Sequence, residues 1–107
     1  MQRIWFGAAG LCGALAVGLS AMGAHVALES RAMVQSVAML LGWHAPALLA
    51  LGLWPRGGLV AGVLVAGLAL FSGAVLLRAL TGISLGPVAP LGGMTLIAGW
   101  LLLAFRR

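Results

Sequence analysis

Four long apolar stretches dominate this chain of 107 residues, and short polar or glycine- and proline-rich breaks separate them. The pattern predicts helices at about residues 4–28, 33–54, 59–80 and 91–105, because a helix needs ~20 apolar residues to cross a bilayer. The breaks are residues 29–31, 55–58 and 81–90, and the last two carry all but one of the prolines. We therefore expect an all-α integral membrane bundle of four transmembrane helices that forms a single domain, residues 1–107.

The fourth predicted helix is short. At 1.5 Å per residue it spans about 22 Å, whereas the hydrocarbon core of a bilayer is near 30 Å thick. Residues 81–90 therefore either re-enter the membrane under cover of other helices or form a loop where the bilayer thins locally.

Composition supports a membrane protein. The chain is 64% apolar and 7% charged, with a mean hydropathy of +1.21, whereas soluble domains are roughly 45–50% apolar and about 25% charged. The net charge of +5 comes from arginines dispersed between the apolar stretches. A nucleic-acid interface would cluster them, so the lipid bilayer is the expected partner and nucleic acid is not.

The arginines also predict an orientation. Four crossings place both termini on one side of the membrane, and Arg31 and Arg78 fall on the other side with Glu29, the single acidic residue. The positive-inside rule then puts both termini in the cytoplasm. Three tryptophans fall toward that same side, as interfacial rings would, and they are Trp5, Trp54 and Trp100.

Small residues recur at four-residue spacing on two predicted helices. Such faces let helices approach closely in lipid. We expect them to be packing seams, within one chain or between subunits: Gly10, Ala14 and Gly18 on the first helix, and Gly58, Gly62 and Ala66 on the third.

His44 is the ionisable residue predicted nearest to the middle of the bilayer. Pro46 cannot donate a backbone hydrogen bond, which frees the carbonyl of Gly42, and Ser72 lies at a similar depth. In one interpretation a neutral His44 bonds the Ser72 hydroxyl or a freed carbonyl and joins helices. In the other it carries protons or a small solute, because imidazole changes charge near neutral pH.

His25 is predicted about 13 Å outward from the centre of the first helix, so the two histidines differ in depth and cannot easily share a metal ion. Cys12 has no second thiolate beside it. No acid, base and nucleophile meet at one depth. The sequence therefore predicts neither an enzyme nor a metal or cofactor site.

The outer end is expected to gather charged groups. Arg78 can pair with Glu29 there, near His25 and Arg31. These groups either fix the depth of the helices or form a vestibule for an anionic head group or solute. The candidate functional polar residues are His44, Ser72, His25, Glu29 and Arg78.

Several short segments occur in a specific order and spacing. They are MGAH at residues 22–25, HAPALL at 44–49, LFSG at 70–73 with LTG at 80–82, and PLGG at 90–93 with AGW at 98–100. Together they resemble the YgdD-like family of small bacterial inner-membrane proteins, a domain of unknown function. The chain departs from that family in the connection between the first two helices, which is shorter and less polar. The resemblance implies a four-helix protein of the bacterial cytoplasmic membrane and supplies no catalytic residues.

Two functions follow as hypotheses. The first is a structural or accessory component of the bacterial inner membrane that assembles with itself or with a larger membrane complex through the small-residue faces. The second is an oligomeric transporter or channel component in which His44 lines a polar path.

Overall fold

The computed structural model of the chain contains four α-helices joined by short connections. They are α1 (Gln2–Gly23), α2 (Leu28–Leu53), α3 (Gly58–Thr81) and α4 (Val88–Phe105). The structure describes residues 2–26 and 28–105, apart from the side chains of Gln2, Leu28 and Glu29. The predicted all-α architecture is confirmed. Each helix is long and apolar enough to cross a bilayer, which indicates a multi-pass membrane protein.

The first connection differs from its prediction. α1 ends at Gly23 rather than at residue 28, and α2 begins at Leu28 rather than at residue 33. The backbone N–H of His25 donates to the carbonyl of Met22 at 2.9 Å in the turn between them. Arg31, which we expected in the connection, lies in the first turns of α2. Apolar composition predicts how much chain lies in hydrocarbon, but not where helical hydrogen bonding stops.

Arg31 stabilises the end of α1. Its Nε donates to the carbonyl of Gly23 at 3.1 Å, and its Nη2 donates to the carbonyl of Val26 at 3.4 Å. The last carbonyls of a helix have no partner within the helix, and a cation near them also interacts favourably with the helix dipole. Arg31 therefore joins the start of α2 to the end of α1.

α4 is longer than predicted, because it begins at Val88 and includes Pro90 in its first turn. Proline is tolerated there, since the first N–H groups of a helix have no intrahelical acceptor. The 18 residues of α4 rise about 27 Å, close to the hydrocarbon thickness. Residues 81–87 are exposed. No helix in the described part of the chain therefore covers this segment.

The helices pack in chain order. α1 packs on α2, α2 on α3 and α3 on α4, whereas α1 touches α3 at few places. In the part of the chain that the structure describes, α4 makes no close backbone approach to α1 or α2. The largest fully buried side chains among the described residues all lie on the two central helices: Val34, Val37, Leu48, Val60 and Leu64. The core therefore lies between α2 and α3, and open clefts remain between α2 and α4 and between α1 and α3.

The two ends of the bundle are distinct. The connections that contain residues 24–26 and 82–87 share one end, which we call the two-loop end. Gln2, Phe105 and residues 54–57 share the other, the termini end. The Ser30 hydroxyl donates to the carbonyl of Ala79 at 3.0 Å, which holds the start of α2 level with the end of α3. Arg31 and Arg78 therefore lie at the same end, as predicted.

The two small-residue faces differ in what they contact. A Cβ at Gly10 or Gly18 of α1 would meet nothing within 4 Å. On α3, a Cβ at Gly58 would lie 3.9 Å from Nε1 of Trp5, and a Cβ at Gly62 would lie 3.8 Å from Cη2 of the same ring. Among the described residues, these glycines therefore form no glycine-to-backbone seam, and a seam between subunits stays a prediction.

A close approach of two helix backbones lies instead between α3 and α4, at Gly67 and Gly92. A Cβ at Gly67 would lie 3.0 Å from the carbonyl oxygen of Gly92 and 2.9 Å from the backbone N of Leu96. A Cβ at Gly92 would lie 2.9 Å from the carbonyl oxygen of Gly67 and would overlap the backbone N of Phe71. Four-residue spacing does not reveal this seam, because each helix contributes one glycine to the crossing point.

Candidate functional site

His44 lies in the middle of α2 with only 4% of its surface exposed, and both of its ring nitrogens are hydrogen-bonded. Nδ1 is 2.7 Å from the carbonyl oxygen of Leu40, one turn earlier on the same helix. Nε2 accepts a hydrogen bond from the indole Nε1–H of Trp100 on α4, at 3.1 Å. The two rings are 5.7 Å apart between centroids and tilted by 56°.

These partners assign the tautomer of His44. An indole N–H can only donate, and a carbonyl can only accept. The ring must therefore carry its proton on Nδ1 and none on Nε2, which is an assignment from the hydrogen-bond network. A charged imidazole would turn an Nε2–H toward the Trp100 N–H. In this arrangement the His44 ring joins two helices through both of its nitrogens.

The His44–Trp100 bond crosses the cleft between α2 and α4. Both helices pack on α3, which forms the base of this cleft. A hollow of about 300 Å³ lies on the termini side of the bond, with Leu51, Trp54 and Leu103 among its lining residues. A second hollow of about 240 Å³ lies at the two-loop end. We call it the Arg78 groove, and its lining includes Met33, Val75, Arg78, Ser84, Ala89 and Pro90. The hydrogen bond therefore joins α2 to α4 at a height between these two hollows, both of which have mainly apolar linings.

Ser72 does not bond His44, so that prediction was wrong. Ser72 is buried, with 9% of its surface exposed, and its hydroxyl has no partner among the described residues. It lines a groove together with Cys12 and Leu41, on the side of α3 that faces α1. The carbonyl of Gly42, freed by Pro46, is not the acceptor either, because His44 uses Leu40. The Ser30–Ala79 bond makes those two residues level, so at 1.5 Å per residue Ser72 lies about 10 Å nearer the ends of the helices that hold this bond than His44 does.

The other candidate residues lie at the two-loop end, away from His44. His25 is exposed in the turn after α1, and Arg78 is exposed in the last turn of α3. The side chain of Glu29 lies outside the described residues, so its pairing with Arg78 stays a prediction. Among the residues that were described, no group of three or more His, Cys, Asp or Glu side chains could hold a metal ion.

Trp100 is the site residue that the sequence analysis missed, because it was assigned to the membrane interface. The predicted depth of Trp100 in the membrane could have identified it as a site residue. An indole N–H below the interface needs an acceptor, and His44 offers one at a similar height on α2, which runs in the same direction as α4. Trp100 keeps 43% of its surface exposed, so the rest of its ring faces outward.

A sequence family described as "Protein of unknown function (DUF423)" matches residues 19–93. The matched interval includes His44, Ser72, Arg78 and Gly92 but ends before Trp100. No curated protein and no solved structure matches the chain.

Proposed function

The chain belongs to the DUF423 family, whose function is unknown, and from this premise we propose that it is a structural or accessory membrane protein without enzymatic activity. We propose that it lies in the bacterial inner membrane, with both termini in the cytoplasm. The distribution of arginines and the resemblance to the YgdD-like proteins support that placement.

The hydrogen bonding of His44 carries the proposal. A residue that relays protons needs hydrogen-bonding partners that can themselves take up or release a proton. The partners of His44 are the carbonyl of Leu40 and the indole N–H of Trp100, and neither group exchanges protons near neutral pH. The nearest other buried polar side chain, Ser72, faces the opposite cleft. A histidine held in this way stabilises the position of α4 relative to α2.

The open face of α1 supports assembly with other membrane segments. Gly10, Ala14 and Gly18 are exposed, and nothing lies near a Cβ built at either glycine. In lipid, helices associate where small residues allow close backbone approach. We infer that this face binds a helix of a second copy or of a larger membrane complex.

Leucine at Gly10 and Gly18 is expected to weaken that association about tenfold or more, since overpacking a close helix contact costs ~1–3 kcal/mol. The measurement is chemical cross-linking in native membranes, followed by co-purification of the tagged chain. Gly73→Leu is the matched control, because Gly73 is also an exposed helical glycine with nothing within 4 Å of a Cβ. Equal cross-linking in all three proteins would contradict the assignment of this face.

The transporter alternative is tested separately with the protein in liposomes. A proton or solute flux that His44→Ala abolishes would overturn the structural proposal. We expect no such flux from the wild-type protein, because the His44 ring bridges two helices rather than lining a continuous polar path.

A further inference from the structure

The Arg78 groove is chemically divided along its length. Arg78 and Ser84 lie at its two-loop end, where the chain leaves α3 and approaches α4. Met33 and Val75 line it deeper in the bundle. No acidic residue is among the described residues that line it. The groove therefore presents one cation and one hydroxyl above apolar walls.

Among the described residues, no hydrogen bond or ion pair holds the guanidinium of Arg78, and the side chain of Glu29 lies outside them. The carbonyl of Arg78 accepts the N–H of Gly82 at 2.9 Å, which ends α3 through a left-handed glycine with φ of 79°. The side chain is exposed, and no described side chain offers it a carboxylate. Arg31 contrasts with it, because the Arg31 guanidinium is committed to carbonyls at the end of α1.

Ser84 has a hydrogen to donate in the same place. Its Oγ accepts the backbone N–H of Gly86 at 3.3 Å. A hydroxyl has one O–H beyond its acceptor lone pairs, so the Ser84 O–H remains to donate to a ligand. A guanidinium and a hydroxyl that both line one open groove are donors that suit an oxyanion.

We propose that the Arg78 groove binds a phospholipid with an anionic headgroup. Its phosphate contacts Arg78 and Ser84, and its glycerol and upper acyl carbons contact Met33 and Val75. Charge complementarity supports this occupant, because the described lining of the groove carries the positive charge of Arg78 and no carboxylate. The Ser30–Ala79 bond sets the groove level with the helix ends, where lipid phosphates lie in a bilayer. A free phosphate ion would leave the apolar walls unfilled.

The test compares lipid retention by the full chain, extracted from vesicles of phosphatidylglycerol and phosphatidylcholine in equal parts. Native mass spectrometry measures the ratio of the two lipids that stay bound. Wild-type protein should favour the anionic lipid by about fivefold or more, since one arginine near a membrane surface contributes ~1 kcal/mol. Arg78→Gln should bring the ratio near parity.

Two variants make the result specific. Arg3→Gln removes an exposed arginine at the termini end and should keep the preference. Ala89→Phe fills the groove without changing charge and should reduce retention of both lipids, with helix content and elution volume confirming the fold. The proposal is overturned if Arg78→Gln and Arg3→Gln lose the preference equally, or if Ala89→Phe retains wild-type amounts. Displacement of the lipid by millimolar inorganic phosphate would also overturn it, because the site would then be one for a free anion.

Discussion

Gly92→Ala is expected to lower the free energy of unfolding by about 1–3 kcal/mol, the usual cost of overpacking a close contact. The added Cβ would overlap the backbone N of Phe71 and lie 2.9 Å from the carbonyl oxygen of Gly67. These are backbone atoms of α3, so no side chain can rotate away and the two helices must separate. Reversible unfolding in mixed detergent micelles, followed by circular dichroism, measures the change.

Gly93→Ala is the matched control, because the next residue along α4 has nothing within 4 Å of its Cβ position. Its effect should stay within about 0.5 kcal/mol, as for most substitutions that touch nothing. Gly67→Ala should resemble Gly92→Ala, and the double variant should cost less than the sum, because both open the same contact. If the Gly92→Ala protein proved as stable as the Gly93→Ala protein, the close backbone contact assigned to Gly67 and Gly92 would be contradicted.

Trp100→Phe is expected to lower the free energy of unfolding by about 1–2 kcal/mol, since it leaves Nε2 of a buried imidazole without a donor. Phenylalanine keeps an apolar ring, so most of the packing of α4 remains. A double-mutant cycle with His44→Leu should give a coupling of about 0.6–1.7 kcal/mol, the range found for hydrogen bonds between membrane helices. The same detergent titration measures all four proteins.

Trp43→Phe controls for the loss of an indole beside His44. Trp43 precedes His44 on α2 but points outward with 68% of its surface exposed, so its replacement should change stability by less than about 0.5 kcal/mol. Nitrogen-15 chemical shifts of His44 supply a second readout. The wild-type ring should show the Nδ1–H tautomer. A ring protonated on Nε2 at neutral pH would refute the hydrogen bond that joins α2 to α4.

Much of the fold was predictable because it depends on composition and chain length. The number of helices was predicted correctly. The predicted ends of α3 lie within one residue of those in the structure, since glycine and proline mark those ends strongly. The first connection was predicted too late in the chain. Its apolar residues continue through the turn after Gly23, and the helical register of Arg31 depends on carbonyls that it meets only after α1 and α2 pack.

Of the two residues that form the candidate site, the sequence predicted His44 but not Trp100. His44 stood out because an ionisable group is costly in an apolar helix. Its partner did not, because the packing of the helices sets their relative heights, and these bring Trp100 rather than Ser72 level with His44. The Gly67–Gly92 contact was hidden for a related reason, since it pairs single glycines on different helices.

The sequence by itself determined that this chain forms four apolar helices and which end of the bundle carries Arg31 and Arg78, because burial of ~20 apolar residues per helix is a local property of composition. The tertiary structure decided that His44 bonds Trp100, that α3 and α4 cross at two glycines, and that Arg78 faces a groove. Those outcomes depend on the rotation and crossing of packed helices. Rotation and crossing follow from the fit of all side chains at once and from no single segment.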